Sequence, residues 1–160
     1  MVGLMTSLIA VCAGVSVLLI IPFIRYFRPS LFAARVSGAL YDLGLDVKKL
    51  DGSDSKRLHI ECMAFYGALR GKANPKVLAL RFFVHAYTQN PTFPERAFFR
   101  DAPLVHSIPV IKNWKKTGAL PADIADREEK NIKEFLLKAV ESQSLSKEDR
   151  LLTEIQILEL

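Results

Sequence analysis

The fold class the sequence predicts is all-α, with one N-terminal transmembrane helix followed by a compact multi-helix domain, and three observations predict it. Val2 to Ile24 contains no charged side chain. Beyond it, apolar residues recur at helical rather than alternating spacing. Outside the first segment there are few Val-Ile-Thr alternations, so no sheet is expected. The expected division is a membrane anchor and interface over residues 1–28 and a helical domain over residues 29–160.

The apolar segment comes first in the chain. Its 23 residues, at about 1.5 Å rise each, make a helix of about 34 Å, enough for a hydrocarbon core of about 30 Å with modest tilt. Thirteen of them are Val, Leu, Ile or Phe, which gives a gross insertion term of about −4 to −8 kcal/mol. No Lys or Arg precedes Arg25, so the basic start of a signal peptide is missing and the segment is expected to stay with the chain. Arg25, Arg28 and Arg35 follow closely, and the positive-inside rule then predicts an external N-terminus with the remaining chain in the cytoplasm, as in a bacterial inner membrane or its equivalent. Arg25, Tyr26, Phe27 and Arg28 read as the interface anchor, since aromatic rings and snorkelling guanidinium groups suit the headgroup layer. Gly3 and Ser7, and Ala10 and Gly14, are pairs of small residues four apart that allow a neighbouring transmembrane helix to approach closely.

Charge is unevenly distributed. Residues 25–116 hold 16 Lys and Arg against 7 Asp and Glu, whereas residues 117–160 hold 6 against 10. The basic half therefore adjoins the membrane segment, where anionic lipid at the cytoplasmic face is the expected partner. No helix-turn-helix, zinc-finger spacing or RNA-binding aromatic motif is present, so nucleic acid is not an expected partner. Two cysteines, one inside the apolar segment, make no disulfide framework.

After Pro29, Ser30 is placed to cap a helix through Leu31, Phe32, Val36, Leu40 and Leu43, ended by Gly44. Lys48 to Ser55 reads as a polar loop. Leu58, Cys62, Phe65 and Leu69 form one apolar stripe on a helix from about Ser55 to Arg70, closed by Gly71. Asn74 and Pro75 then supply an N-cap and a first-turn proline for a helix running to Asn90 and Pro91. It is apolar on nearly all sides, with Val77, Leu80, Phe83, Val84 and Tyr87 on one face and Leu78, Phe82 and Ala86 on the others. This helix should be the centre of the core.

With Gly67 in the first helix and Ala79, Phe83, Ala86, Asn90 and Pro91 in the second, the pair resembles one tetratricopeptide repeat over about 34 residues. Arg70 stands where that family prefers an aromatic, Asn74 where it often has glycine, and there is no convincing second copy. The resemblance implies a helical hairpin with a peptide- or protein-binding surface, for which Phe65, Arg70, Arg81 and Tyr87 are the candidate residues.

Pro94, Pro103 and Pro109 each suit a first-turn position, which predicts short helices at Glu95–Arg100, Leu104–Ser107 and Val110–Lys116, with Gly118 as a stop. Pro121 opens a long amphipathic helix to about Ser142. Ile124, Ile132, Phe135, Leu136, Ala139 and Val140 form its inner face, and Arg127, Glu128, Lys130 and Glu134 point away. Ser146 and Asp149 resemble a capping box for a last helix whose Leu151, Leu152, Ile155 and Leu158 form an apolar row.

Chemistry is sparse. His59 and Cys62, three apart, have metal-ligand spacing, but two ligands make no zinc site, and His85 and His106 would have to converge from other helices. No Gly-rich phosphate loop, HExxH pair or nucleophile elbow is present. Arg81 lies in the most apolar helix and would need Glu61 or Asp101 if buried; the reading favoured is that it reaches the surface. No catalytic, cofactor or metal residues are expected. The functional expectation is a non-catalytic, single-pass accessory or scaffold subunit that assists assembly or stability of a membrane complex. The alternative is a membrane-tethered adaptor binding peptide segments of partner proteins, and behind both stands a haem or metal protein.

Overall fold

The computed structural model describes residues 28–69, 72–89, 103–141 and 147–160. The described chain is all-α: α1 (residues 28–42), a 3-10 turn at Val47–Lys49, α2 (Gly52–Ala68), α3 (Pro75–Gln89), α4 (Pro103–Lys116), α5 (Ala122–Glu141) and α6 (Lys147–Glu159). Among the described residues no helix is long and apolar enough to cross a membrane. The segment expected to cross, Val2 to Ile24, lies outside the described residues.

Helix ends obey the local chemistry. Arg28 and Pro29 are already helical, so Ser30 sits inside α1 instead of capping it. Gly44, at φ 103°, closes α1. The Gly44 N–H donates to the Tyr41 carbonyl at 3.0 Å and the Leu45 N–H to that of Leu40 at 2.9 Å, the paired bonds of a Schellman cap. Leu40 and Leu45 are both fully buried, which adds the apolar contact that accompanies such caps. Gly118, at φ 68°, repeats the device after α4, with Gly118 donating to Lys115 and Ala119 to Trp114. The polar loop expected over residues 48–55 is shorter than that, because the Asp51 carboxylate accepts the Asp54 N–H at 2.7 Å and starts α2 at Gly52.

α3 is the centre of the core, as its composition predicts. Leu78, Ala79, Leu80, Phe82, Phe83, Val84, Ala86 and Tyr87 are all buried. α3 packs against both α2 and α5, while α5 also carries α4 and α6. Phe32 of α1 lies 6.3 Å from the Phe65 ring and 5.4 Å from that of Tyr66, fastening α1 to α2. The Asn74 side chain does two things: its Oδ1 accepts the Lys76 N–H at 2.9 Å, and its Nδ2 donates to the Ala119 carbonyl at 3.0 Å. One residue thus caps α3 and ties it to the α4–α5 connection.

Two further expectations need correction. The separate helices at Leu104–Ser107 and Val110–Lys116 are one helix, α4, with Pro109 inside it. Proline removes the bond to the carbonyl four residues back, and here both Pro109 and Val105 are exposed, so the ring is not forced into the core. Glu128, expected to point outward, is 8 % exposed. It lies three residues after Ala125 and four before Ile132, both buried, and its carboxylate is satisfied by Arg127 at 2.9 Å and by Asn131 at 3.1 Å. The apolar row of α6 forms at the expected spacing and lies outward: Leu151, Ile155 and Leu158 are 59, 43 and 61 % exposed, whereas Ile157 is buried at 6 %, and the side chain of Leu152 lies outside the described residues. The expected helix at Glu95–Arg100, the closing Gly71 and the cap at Ser146 lie outside the described residues.

Candidate binding surfaces

The hairpin α2–α3 presents a shallow groove of about 450 Å³, whose lining includes Glu61, Phe65, Leu78, Arg81 and His85. Of the four hairpin candidates, Phe65 and Arg81 therefore meet. Arg81 is exposed, as the favoured reading had it. Tyr87 is 9 % exposed and 5.2 Å from the Phe83 ring; it belongs to the core, and burial pushes its phenol far above the usual range. Arg70 and Asp101 lie outside the described residues.

Electrostatics in this groove are local. Glu61 accepts from the Arg57 Nε at 3.0 Å, and the Arg57 guanidinium lies 5.2 Å from the Phe82 ring centre. With each side chain about one third exposed, that pair resembles a helix-surface i,i+4 bridge, worth about 0.3–0.5 kcal/mol. Gly67 has open space where a Cβ would stand, so among the described residues nothing packs closely against it.

The metal-spaced residues do not form a site. His59, His85 and His106 are exposed while Cys62 is 2 % exposed, so His59 and Cys62 face different surroundings. Burial first, and the Glu61 charge second, push the Cys62 thiol up to about 11. That favours an inert thiol over a thiolate ligand. Among the described residues no three His, Cys, Asp or Glu side chains gather as a metal would need.

Two further surfaces stand apart from the hairpin. A pocket of about 200 Å³ opens beside α1, lined by Arg28, Leu31, Phe32 and Arg35 together with Tyr66 of α2, the α2–α3 connection and the first residue of α3. Its sequence signal is the pair Arg28 and Arg35, seven apart and therefore on one helical face, with Leu31 and Phe32 between. The other surface is the outward row of α6, flanked on the helix by Glu148, Glu154 and Glu159. Its register is set by Ile157, which lies on the opposite side of the helix and is the residue that turns inward.

Gly3, Ser7, Ala10 and Gly14, proposed by spacing as a transmembrane contact, and the anchor residues Arg25, Tyr26 and Phe27 lie outside the described residues. Arg28, the remaining anchor residue, is exposed at the start of described α1. Comparison with known protein families, curated proteins and solved structures finds no match for this chain.

Proposed function

We propose that this chain is a non-catalytic, single-pass membrane accessory or scaffold subunit, holding its helical domain at the cytoplasmic face and helping a multi-subunit membrane complex to assemble or persist. The outward row Leu151, Ile155 and Leu158 on α6 carries the subunit part of the reading. Three large apolar side chains on one face of a helix, rimmed by charged groups of both signs, have the make-up of a protein-contact patch. The membrane part rests on the charge-free segment Val2 to Ile24 and on Arg25, Arg28 and Arg35 after it. Gly3, Ser7, Ala10 and Gly14 would supply close helix contacts within the bilayer.

Purification of the full chain from its native membrane in mild detergent tests this. Partners recovered at fixed stoichiometry are the expected result, and they should be lost on Leu151→Gln with Leu158→Gln. A clean monomer with no co-purifying protein would overturn the reading.

The second reading, a tethered adaptor, is favoured by one observation: Phe65 and Arg81 converge in the α2–α3 groove, offering a ring and a cation to a bound peptide. Phe65→Ala with Arg81→Ala should then abolish peptide capture, and unchanged capture would remove this reading.

A further inference from the structure

We propose that the pocket beside α1 is a binding site for the phosphate headgroup of an anionic phospholipid, with Arg28 and Arg35 as its cationic walls. This rests on the membrane reading above and names the lipid that the domain would hold there.

The pocket has the chemistry such a ligand requires. Arg28 and Arg35 both line it, and their backbones are separated by about 10 Å along the helix at 1.5 Å per residue. Guanidinium groups are suited to phosphate because their planar forks present paired N–H donors and are weakly hydrated. Leu31, which is 46 % exposed, and Phe32 lie between the two arginines on α1, and Tyr66 faces them from α2. The described lining contains no carboxylate. A phosphate can therefore sit between the cations while the glycerol and upper acyl carbons cover Leu31 and the aromatic edge. Free inorganic phosphate would leave that apolar part uncovered.

Chain connectivity places the pocket at the right depth. Arg28 is four residues from Ile24, and four residues span at most about 14 Å even when fully extended. If Val2 to Ile24 crosses the bilayer, Arg28 stays within that distance of the hydrocarbon boundary whatever the intervening conformation. The headgroup layer occupies roughly 5–8 Å on each side of the hydrocarbon core, so α1 begins in or just beyond the layer where phosphate groups lie. The anionic leaflet also draws each nearby Arg toward it.

The test uses the full chain purified in mild detergent. Bound phospholipid is read by native mass spectrometry, and the shift in unfolding temperature is followed during titration with phosphatidylglycerol, phosphatidylcholine or inorganic phosphate. Wild type should retain phosphatidylglycerol in preference to phosphatidylcholine, and phosphate alone should give no comparable shift. Arg28→Gln with Arg35→Gln should weaken apparent phosphatidylglycerol binding about thirty-fold, the equivalent of two basic contacts at about 1 kcal/mol each. Arg28→Lys with Arg35→Lys should recover much of it, which excludes a folding defect as the cause. Lys116→Gln with Lys130→Gln, two exposed lysines on α4 and α5, changes net charge equally and should leave binding unchanged. Equal retention by wild type and the glutamine variant, equal retention of both lipids, or a full shift from phosphate alone would overturn the proposal. Alkaline extraction of native membranes separates the two levels. A chain that washes off the membrane removes the membrane reading and the pocket proposal together, whereas one that stays embedded without lipid preference removes the pocket proposal only.

Discussion

Replacing Asn74 by Ala removes two hydrogen bonds at opposite ends of one amide. The first, Oδ1 to the Lys76 N–H at 2.9 Å, caps α3; losing an N-cap of this kind costs about 1 kcal/mol. The second, Nδ2 to the Ala119 carbonyl at 3.0 Å, joins residues 45 apart in sequence, and a hydrogen bond of this type contributes about 0.5–1.5 kcal/mol. The two together predict a loss of about 2 kcal/mol. Asn74→Ser separates them, because a serine hydroxyl can cap the helix but is too short to replace the amide donor, so about half of the loss should return. Urea unfolding of the full chain in mild detergent, followed by helical circular dichroism, measures both values. At roughly 4 °C per kcal/mol for a domain of this size, the alanine variant should melt about 8 °C below wild type and the serine variant about 4 °C below. An alanine variant within 0.5 kcal/mol of wild type would refute the reasoning on both bonds. A serine variant as unstable as alanine would show that the tie to Ala119, and not the cap, carries the effect.

The outward row of α6 predicts that Leu151→Gln and Leu158→Gln each change stability by less than about 0.5 kcal/mol, whereas Ile157→Ala, at a site 6 % exposed, should cost about 2–4 kcal/mol; the same unfolding assay decides. Pro109→Ala should stabilise α4 by up to about 3 kcal/mol, since it restores an N–H for the Val105 carbonyl at an exposed position, and a fall in melting temperature would show that the surrounding packing depends on the proline. Cys62 has its thiol raised from 9.0 to about 11 in the folded chain, so its contribution to stability is complete below pH 9 and is lost as pH rises through 11, because the unfolded chain gives up the proton first. Cys62→Ala should flatten that alkaline decline, and thiol labelling at pH 8 should be slow until the protein is unfolded.

Much of the helical framework was legible because its signals are local. Asn74-Pro75, Gly44 and Gly118 act through the backbone of their own turn, and the structure uses each where the spacing placed it. α3 could be recognised as central because its apolar residues occupy nearly all of its faces, leaving only the strip of Arg81, His85 and Gln89 to solvent. Pro109 misled for the converse reason. Its effect depends on whether the ring faces the core or the solvent, and that is a property of the assembled helix. Glu128 misled because charge outranked position, although it stands three and four residues from Ala125 and Ile132 on the buried face.

The candidate surfaces were less legible. Phe65 and Arg81 were named for a common hairpin and do share a groove, since helices joined by a short connection lie side by side. Tyr87 was named with them and is in the core, because a helix buried nearly all round gives no clue from spacing as to which face is left open. The pocket of Arg28, Arg35 and Tyr66 joins two helices, and no single-helix pattern contains all three.

The sequence by itself determined that the described chain after the apolar segment is helical, which helix lies at its centre, and where several helices begin and end. Each follows from periodicity or from turn chemistry within a few residues. Tertiary structure alone decided which apolar rows are covered. Leu151, Ile155 and Leu158 form as regular a stripe as any in the chain, yet they face outward, because a stripe states only that one side of a helix is apolar, and burial requires another element to lie against it.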